Sequence, residues 1–183
     1  MENVIFQGKT KTGKDLLIRY LLPDDVQNVT DFINRASQEE TFITFQGEVL
    51  SLEDEDKYVQ SKIELIEKKE SIMLLAFVDN EMAGSSDVDL KPKIKSHQGV
   101  FGIIIDKKFR GEGVGTILME AVIKEAIKNI KNLKMITLEV FGDNPIAQNL
   151  YKKMGFIEFG RLPRGIKHKD NFVDEILMYK KVK

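Results

Sequence analysis

The chain predicts a mixed α/β (α+β) fold, with a mostly antiparallel central sheet flanked by helices. Three observations carry this. Apolar runs of strand length alternate with longer amphipathic stretches of helical period. Three strand-like runs, at 71–78, 82–90 and 100–105, follow one another through short polar connections, with no helix between them. A turn with three alternating glycines, Arg110 to Gly115, stands where the last of these strands hands over to a helix.

Taken in order, the elements read β-α-α-β-β-β-α-β-α-β-β. Asp15 to Leu21 alternates loosely and forms the first strand. Pro23, Asp24 and Asp25 mark a helix start, and that helix runs to about Ser37. Residues 38–50 keep no period and read as a loop. Ser51 caps the next helix, whose opening turns carry Glu53, Asp54 and Glu55, where the helix dipole favours negative charge; it ends near Lys69. Ser71 to Val78 is a strand. Asp79, Asn80 and Glu81 turn the chain into a strand from Met82 to about Leu90, followed by a basic loop, Lys91 to Ser96. Val100 to Ile105 is an apolar strand, Asp106 to Phe109 a polar turn, and the glycines then open a helix bearing Ile117, Leu118, Ala121, Val122, Ala126 and Ile127. Met135 to Phe141 is a strand and Gly142–Asp143 a turn. Asn144 caps a helix with Pro145 at its first position; Ala147, Leu150, Tyr151 and Met154 share one face, and Gly155 ends it. A strand from Phe156 to Arg161, a polar loop from Pro163 to Asn171 and a last strand from Phe172 to Tyr179 complete the chain.

Composition narrows the function. At 183 residues the chain suits one domain, 1–183, with a sizeable core. Its 28 basic and 29 acidic residues nearly cancel, which argues against a nucleic-acid binder held by a basic surface. Without cysteine there is no disulfide, no thiolate nucleophile and no Cys-ligated metal. The two histidines, His97 and His168, are too few and too far apart for a metal site, so no metal is expected. No apolar run reaches membrane-spanning length, and the first residues lack the long apolar stretch of a signal peptide. A cytoplasmic monomer or homodimer, bound to neither membrane nor nucleic acid, is the expectation.

The glycine turn is the first chemical signal. Glycines let the backbone approach a ligand closely, and the first turn of a helix carries unpaired N–H groups and about half a positive charge. Together these suit a pyrophosphate. A Walker loop needs a Lys and then Ser or Thr after its last glycine, but Gly115 is followed directly by Thr116. A dinucleotide fingerprint needs G-x-G-x-x-G straight after a first strand; here the spacing is G-x-G-x-G, past mid-chain, with four polar residues intervening.

The second signal lies at 134–156. The pair R-x-x-G-x-G (Arg110 to Gly115) and N-x-x-A-x-x-L-Y-x-x-x-G-F (Asn144 to Phe156) resembles the GNAT superfamily of N-acetyltransferases. The resemblance spans about a third of the chain, and the order of the remaining elements is compatible with that family's acyl-CoA N-acyltransferase fold. It implies acetyl-CoA as cosubstrate and an amine-bearing acceptor. It implies that the N–H groups of Arg110, Gly111, Glu112, Gly113, Val114, Gly115 and Thr116 face the pyrophosphate. Ile103, Ile104 and Ile105 would offer backbone groups to the pantetheine, with an N–H near Ile104 polarising the thioester carbonyl. Asn144 would contact the same arm. The strands ending at Ile105 and Phe141 would run parallel and splay apart to admit it.

Two residues are expected to be catalytic. Tyr151 matches the family's general acid; a phenol is protonated at neutral pH and can donate to a leaving thiolate. The competing reading is a core aromatic on an amphipathic helix. Glu139 interrupts an apolar strand, where a carboxylate is costly unless it is paired or faces a wet cleft. Its place five residues before Asn144 resembles the proton acceptor of the ribosomal-protein alanine N-acetyltransferase branch; the competing reading pairs it with a neighbour such as Lys134. His97 is a rival base, and His168 reads as exposed in a loop. Phe42 and Phe45 either line an entrance or cover the core. The acidic cluster Glu39, Glu40, Glu53, Asp54, Glu55 and Asp56 reads as a solvated face, or as a rim that attracts a cationic amine. The expected activity is direct acetyl transfer to a primary amine, on a small molecule or a protein N-terminus. The alternatives are a non-catalytic acyl-CoA-binding or sensing module and a nucleotide-binding protein.

Overall fold

A computed structural model describes residues 4–182. Its elements are β1 (Val4–Lys9), β2 (Asp15–Tyr20), α1 (Val26–Ser37), α2 (Leu52–Glu67), β3 (Ser71–Val78), β4 (Glu81–Leu90), β5 (Gln98–Ile105), α3 (Val114–Asn129), β6 (Met135–Phe141), α4 (Pro145–Lys153), β7 (Ile157–His168) and β8 (Asn171–Lys181). The strands form one sheet in the order β1-β2-β3-β4-β5-β6-β8-β7. Every neighbouring pair is antiparallel except β5 and β6. The expected mixed fold is therefore the fold observed.

The sheet is covered on both faces, and each face has its own core. β3 is buried along its whole length because helices close it from both sides. On one face α3 lays Leu118, Met119, Val122 and Ala126 against Leu74, Ala76, Val88 and Phe101, and α4 adds Tyr151. On the other, Val29 and Phe32 of α1 and Val59 of α2 meet Met73, Leu75 and Phe77. The expected caps form: Ser51 Oγ accepts from the Asp54 N–H at 3.1 Å, and Asn144 Oδ1 accepts from the Ala147 N–H at 3.1 Å.

The structure adds one strand to the expected set and lengthens another. The half-exposed residues of β1, VIFQGK, form an edge strand against β2, where little apolar patterning is needed. The loop expected at Pro163–Asn171 is mostly strand: β7 continues to His168 and turns only at Lys169 and Asp170. Pro163 is tolerated because β7 is the sheet's other edge, and a break in register between Leu162 and Ile166 absorbs Arg164 and Gly165.

Register decides where the site lies. β5 and β6 pair only from Gln98↔Met135 to Val100↔Thr137. Beyond that point β5 continues to Ile105 paired with β4, and β6 continues to Phe141 paired with β8. The two parallel strands thus diverge, as the resemblance implied, and leave a wedge in mid-sheet with unpaired backbone on its β5 side.

Candidate active site

The wedge opens into a cavity of about 490 Å³. Ile103 and Ile104 of β5, Glu139 of β6, and Asn144 and Tyr151 of α4 and its cap all line it. The segment after α1 roofs it with Phe42 and Phe45, and β7 and β8 add Lys167 and Glu175.

The glycine turn lies at the end of β5. Gly111 and Gly113 have φ of +81° and +89°, the left-handed region that side chains disfavour, so the turn itself demands glycine. Gly113 caps α3. The N–H groups from Gly111 to Thr116 have no acceptor among the described residues, which is the arrangement a pyrophosphate fits. Open space stands over Gly111. Val114 contributes backbone only, because its side chain is wholly buried under the sheet.

The hairpin between β1 and β2 holds this turn in place, and sequence reasoning missed it. The Lys11 N–H donates to Glu112 O at 3.0 Å, and Thr12 Oγ1 and Lys14 Nζ donate to the Glu112 carboxylate at 2.9 and 2.6 Å. The Lys11 stem lies beside Gly113, its Cγ and Cε 3.3 Å from where a Cβ there would stand. Glu112, a candidate for cofactor binding, is therefore turned toward the hairpin. Arg110 Nε donates to Ile105 O at 2.9 Å and its guanidinium pairs with Glu39 at 2.7 Å, so this arginine ties the end of β5 to the segment after α1.

Both residues expected to be catalytic line the cavity. Tyr151 is 8% exposed, edge-on to Phe101 at 6.0 Å, and its hydroxyl has no hydrogen-bond partner among the described residues. It is thus both a core aromatic and a cavity-lining phenol; burial pushes its pKa up to about 12. Glu139 is exposed to the cavity while Ile136, Leu138 and Val140 fill the core behind it. It has no ion-pair partner among the described residues, so the pairing with Lys134 is not formed. Its neighbour is Glu175, whose pKa is raised by burial and by the charge and hydrogen bonding of Glu139. Glu175 was not singled out from sequence, because only the β6–β8 register brings it there.

The histidines separate. His97 lies exposed at the start of β5, about 20 Å along the strand from Ile104, where its carbonyl receives the Lys134 N–H. It takes no part in the cavity. His168 is not exposed in a loop: it ends β7, stacks with Phe42 and Phe141 at 5.1 and 5.3 Å, and approaches Asp143 at 3.6 Å. This three-ring cluster ties the roof segment to the far side of the wedge. The acidic cluster also divides. Glu39 binds Arg110, Glu53 binds Lys57, and Glu55 turns inward.

Residues 33–156 match the model of the Acetyltransferase (GNAT) family. An N-alpha-acetyltransferase of Sulfurisphaera tokodaii is 28% identical over 160 residues, covering 82% of this chain and 86% of that protein. The L-amino acid N-acetyltransferase AaaT of Escherichia coli is 36% identical over 84 residues, 45% of this chain; the chain spans only about half of that relative, 51%. The crystal structure of a GNAT-family acetyltransferase from Streptococcus pneumoniae superposes with a TM-score of 0.84 at 30% identity, covering 92% of this chain and 99% of that one. The glycine turn, the diverging strands and the capped α4 all fall inside the matched segment, and the chain belongs to the GNAT family of acetyltransferases.

Proposed function

We propose that the protein transfers the acetyl group of acetyl-CoA directly to a primary amine, both substrates being bound at once. The observation that carries this is the wedge between β5 and β6, with an exposed carboxylate on one wall, a buried phenol on another and a run of open N–H groups at its end. A chain without cysteine has no thiol to carry the acetyl group, which favours direct transfer.

The residues divide the work. The N–H groups from Gly111 to Thr116, with Lys11 beside them, hold the pyrophosphate, and the free backbone edge of β5 from Ile103 onward holds the pantetheine. Arg110 already occupies the Ile105 carbonyl and the Ile104 carbonyl faces Gly84 on β4, so Ile103 carries most of that role. An N–H near Ile104 stabilises the negative charge that develops on the thioester oxygen as the amine nitrogen bonds to the carbonyl carbon. Glu139 takes the proton the amine must lose. Tyr151 Oη donates to the sulfur as the carbon–sulfur bond breaks. A phenol with a pKa near 12 is a weaker acid than a thiol of pKa about 8.5, so full proton transfer to a free thiolate is uphill by about 5 kcal/mol. Tyr151 therefore acts chiefly as a hydrogen-bond donor to the leaving sulfur.

The likeness at Glu139 and Asn144 to the ribosomal-protein alanine N-acetyltransferase branch supports a free α-amine or a small amine as acceptor, in a cytoplasmic setting. A sensing module would need the glycine turn but neither Glu139 nor Tyr151 in the wedge. Calorimetry with CoA, followed by an assay of free CoA released from acetyl-CoA with a panel of primary amines, tests the proposal. Binding together with amine-dependent release supports it; tight binding with no release for any amine favours the sensing module.

A further inference from the structure

Between α1, α2 and the sheet lies a second cavity, of about 200 Å³. It shares Phe45, Gly102, Ile103 and Ile104 with the transfer cleft, so the two spaces meet at the strand proposed to hold the thioester. Val29, Phe32 and Met73 make most of its wall apolar. Two carboxylates, Glu55 and Asp87, also line it.

Glu55 is 7% exposed, and its carboxylate has neither a hydrogen-bond nor an ion-pair partner among the described residues. Asp87 accepts from Lys62 Nζ at 2.7 Å, and the same ammonium donates to Asp89 at 2.6 Å. Glu55, Asp87, Asp89 and Lys62 all act on the one Tyr58 hydroxyl, but Lys62 pairs only with Asp87 and Asp89 and leaves Glu55 without a cation. Burial, with Asp89 beside it, outweighs Lys62 and lifts Asp87 to about 6; burial, then Asp54, raises Glu55. Gly102 leaves room for this chemistry, since a Cβ there would lie 2.8 Å from Asp87 Oδ1.

A buried carboxylate without a partner is costly, and a cation relieves the cost best. A cavity of roughly 150 Å³ accepts benzene, so one of about 200 Å³ holds a chain of somewhat more than six heavy atoms. We propose that this cavity is an acceptor subsite for the distal ammonium of an aliphatic diamine or polyamine, which pairs with Glu55 while the chain crosses the apolar wall and the reacting amine lies beside Ile104. The subsite rests on the reading of the β5–β6 wedge as the place of acetyl transfer.

The test is calorimetry on the CoA-saturated protein with α,ω-diamines from propane to hexane, the n-alkylamines of matching length and the matching amino alcohols. At least one diamine should bind tenfold or more tightly than its alkylamine and its amino alcohol, and Glu55→Gln should bring the diamine-to-alkylamine ratio close to one. An alkylamine or amino alcohol that binds as well as the diamine overturns the proposal, as does a diamine preference that survives Glu55→Gln. Should that variant fail to fold, the wild-type comparison decides alone. Binding is read without turnover, so the two claims fail separately. Diamine selectivity without acetylation strikes the wedge reading, and acetylation of all amines without diamine preference strikes the subsite.

Discussion

Glu139 on β6 and Glu175 on β8 stand diagonally on one face of the paired strands, Glu139 opposite Leu177 and Phe141 opposite Glu175, and after burial it is Glu139 that raises the pKa of Glu175. The groups that face them are Lys167 from β7 and Tyr151 and Asn144 from α4. Glu175→Gln should lower kcat much less than Glu139→Gln does, because the carboxylate assigned to accept the amine's proton is kept. A loss in Glu175→Gln as deep as that in Glu139→Gln would make Glu175 a second participant in proton transfer.

Tyr151→Phe keeps the ring against Phe101 and removes the hydroxyl. Loss of a donor to the leaving sulfur should lower kcat by about 100-fold, with melting temperature and CoA affinity nearly unchanged. Because the phenol stays protonated up to about pH 12, the wild-type rate should show no alkaline limb from Tyr151. A normal rate in Tyr151→Phe, measured with a verified acceptor, makes it a core aromatic only.

Gly113→Ala places a side chain at φ +89° and brings its Cβ to 3.3 Å from the Lys11 stem. The strain should cost about 1–2 kcal/mol in urea unfolding. CoA affinity should fall several-fold because the N–H groups of the turn are displaced. Unchanged CoA affinity would separate the glycine turn from cofactor binding.

Asp25 accepts two hydrogen bonds from Arg19, each at 2.7 Å, and one from the Leu22 N–H at 2.9 Å. Burial acts to raise its pKa, but Arg19 and the Leu22 N–H outweigh it and hold the carboxyl below the usual range. The stability it contributes is complete above the ordinary carboxylate pKa and lost as pH falls through the lowered value. Asp25→Ala should cost about 3 kcal/mol at neutral pH, since it leaves the half-buried Arg19 without its carboxylate, and the deficit should shrink on acidification. Equal losses at pH 7 and pH 3 would contradict the pairing.

What could be read from the sequence is what local rules control. The caps at Ser51 and Asn144, the period of α3 and the handover from β5 through the glycines depend on residues within a few positions of one another. Glu139 stood out because a charge in an apolar strand is unusual on its own. Glu175, Lys11 and Glu55 did not. Glu175 reaches the cleft through cross-strand register, Lys11 through a hairpin about a hundred residues from Gly113, and Glu55 by turning inward from a run of acids that is otherwise solvated. The outer half of β7 was hidden because Pro163, Arg164 and Gly165 carry loop chemistry, which an edge strand accommodates as a bulge.

Direct acetyl transfer in the β5–β6 wedge is tested by the activity of wild type and Glu139→Gln across pH, with acetylated amine and free CoA measured together. Direct transfer gives equal amounts of the two products and CoA release that depends on the amine. With Glu139 as the proton acceptor, the rate of Glu139→Gln is about 100-fold lower near neutrality and partly recovers at high pH, where the amine loses its proton unaided. CoA release that ignores the amine, or a Glu139→Gln profile that overlays the wild type, would contradict this mechanism.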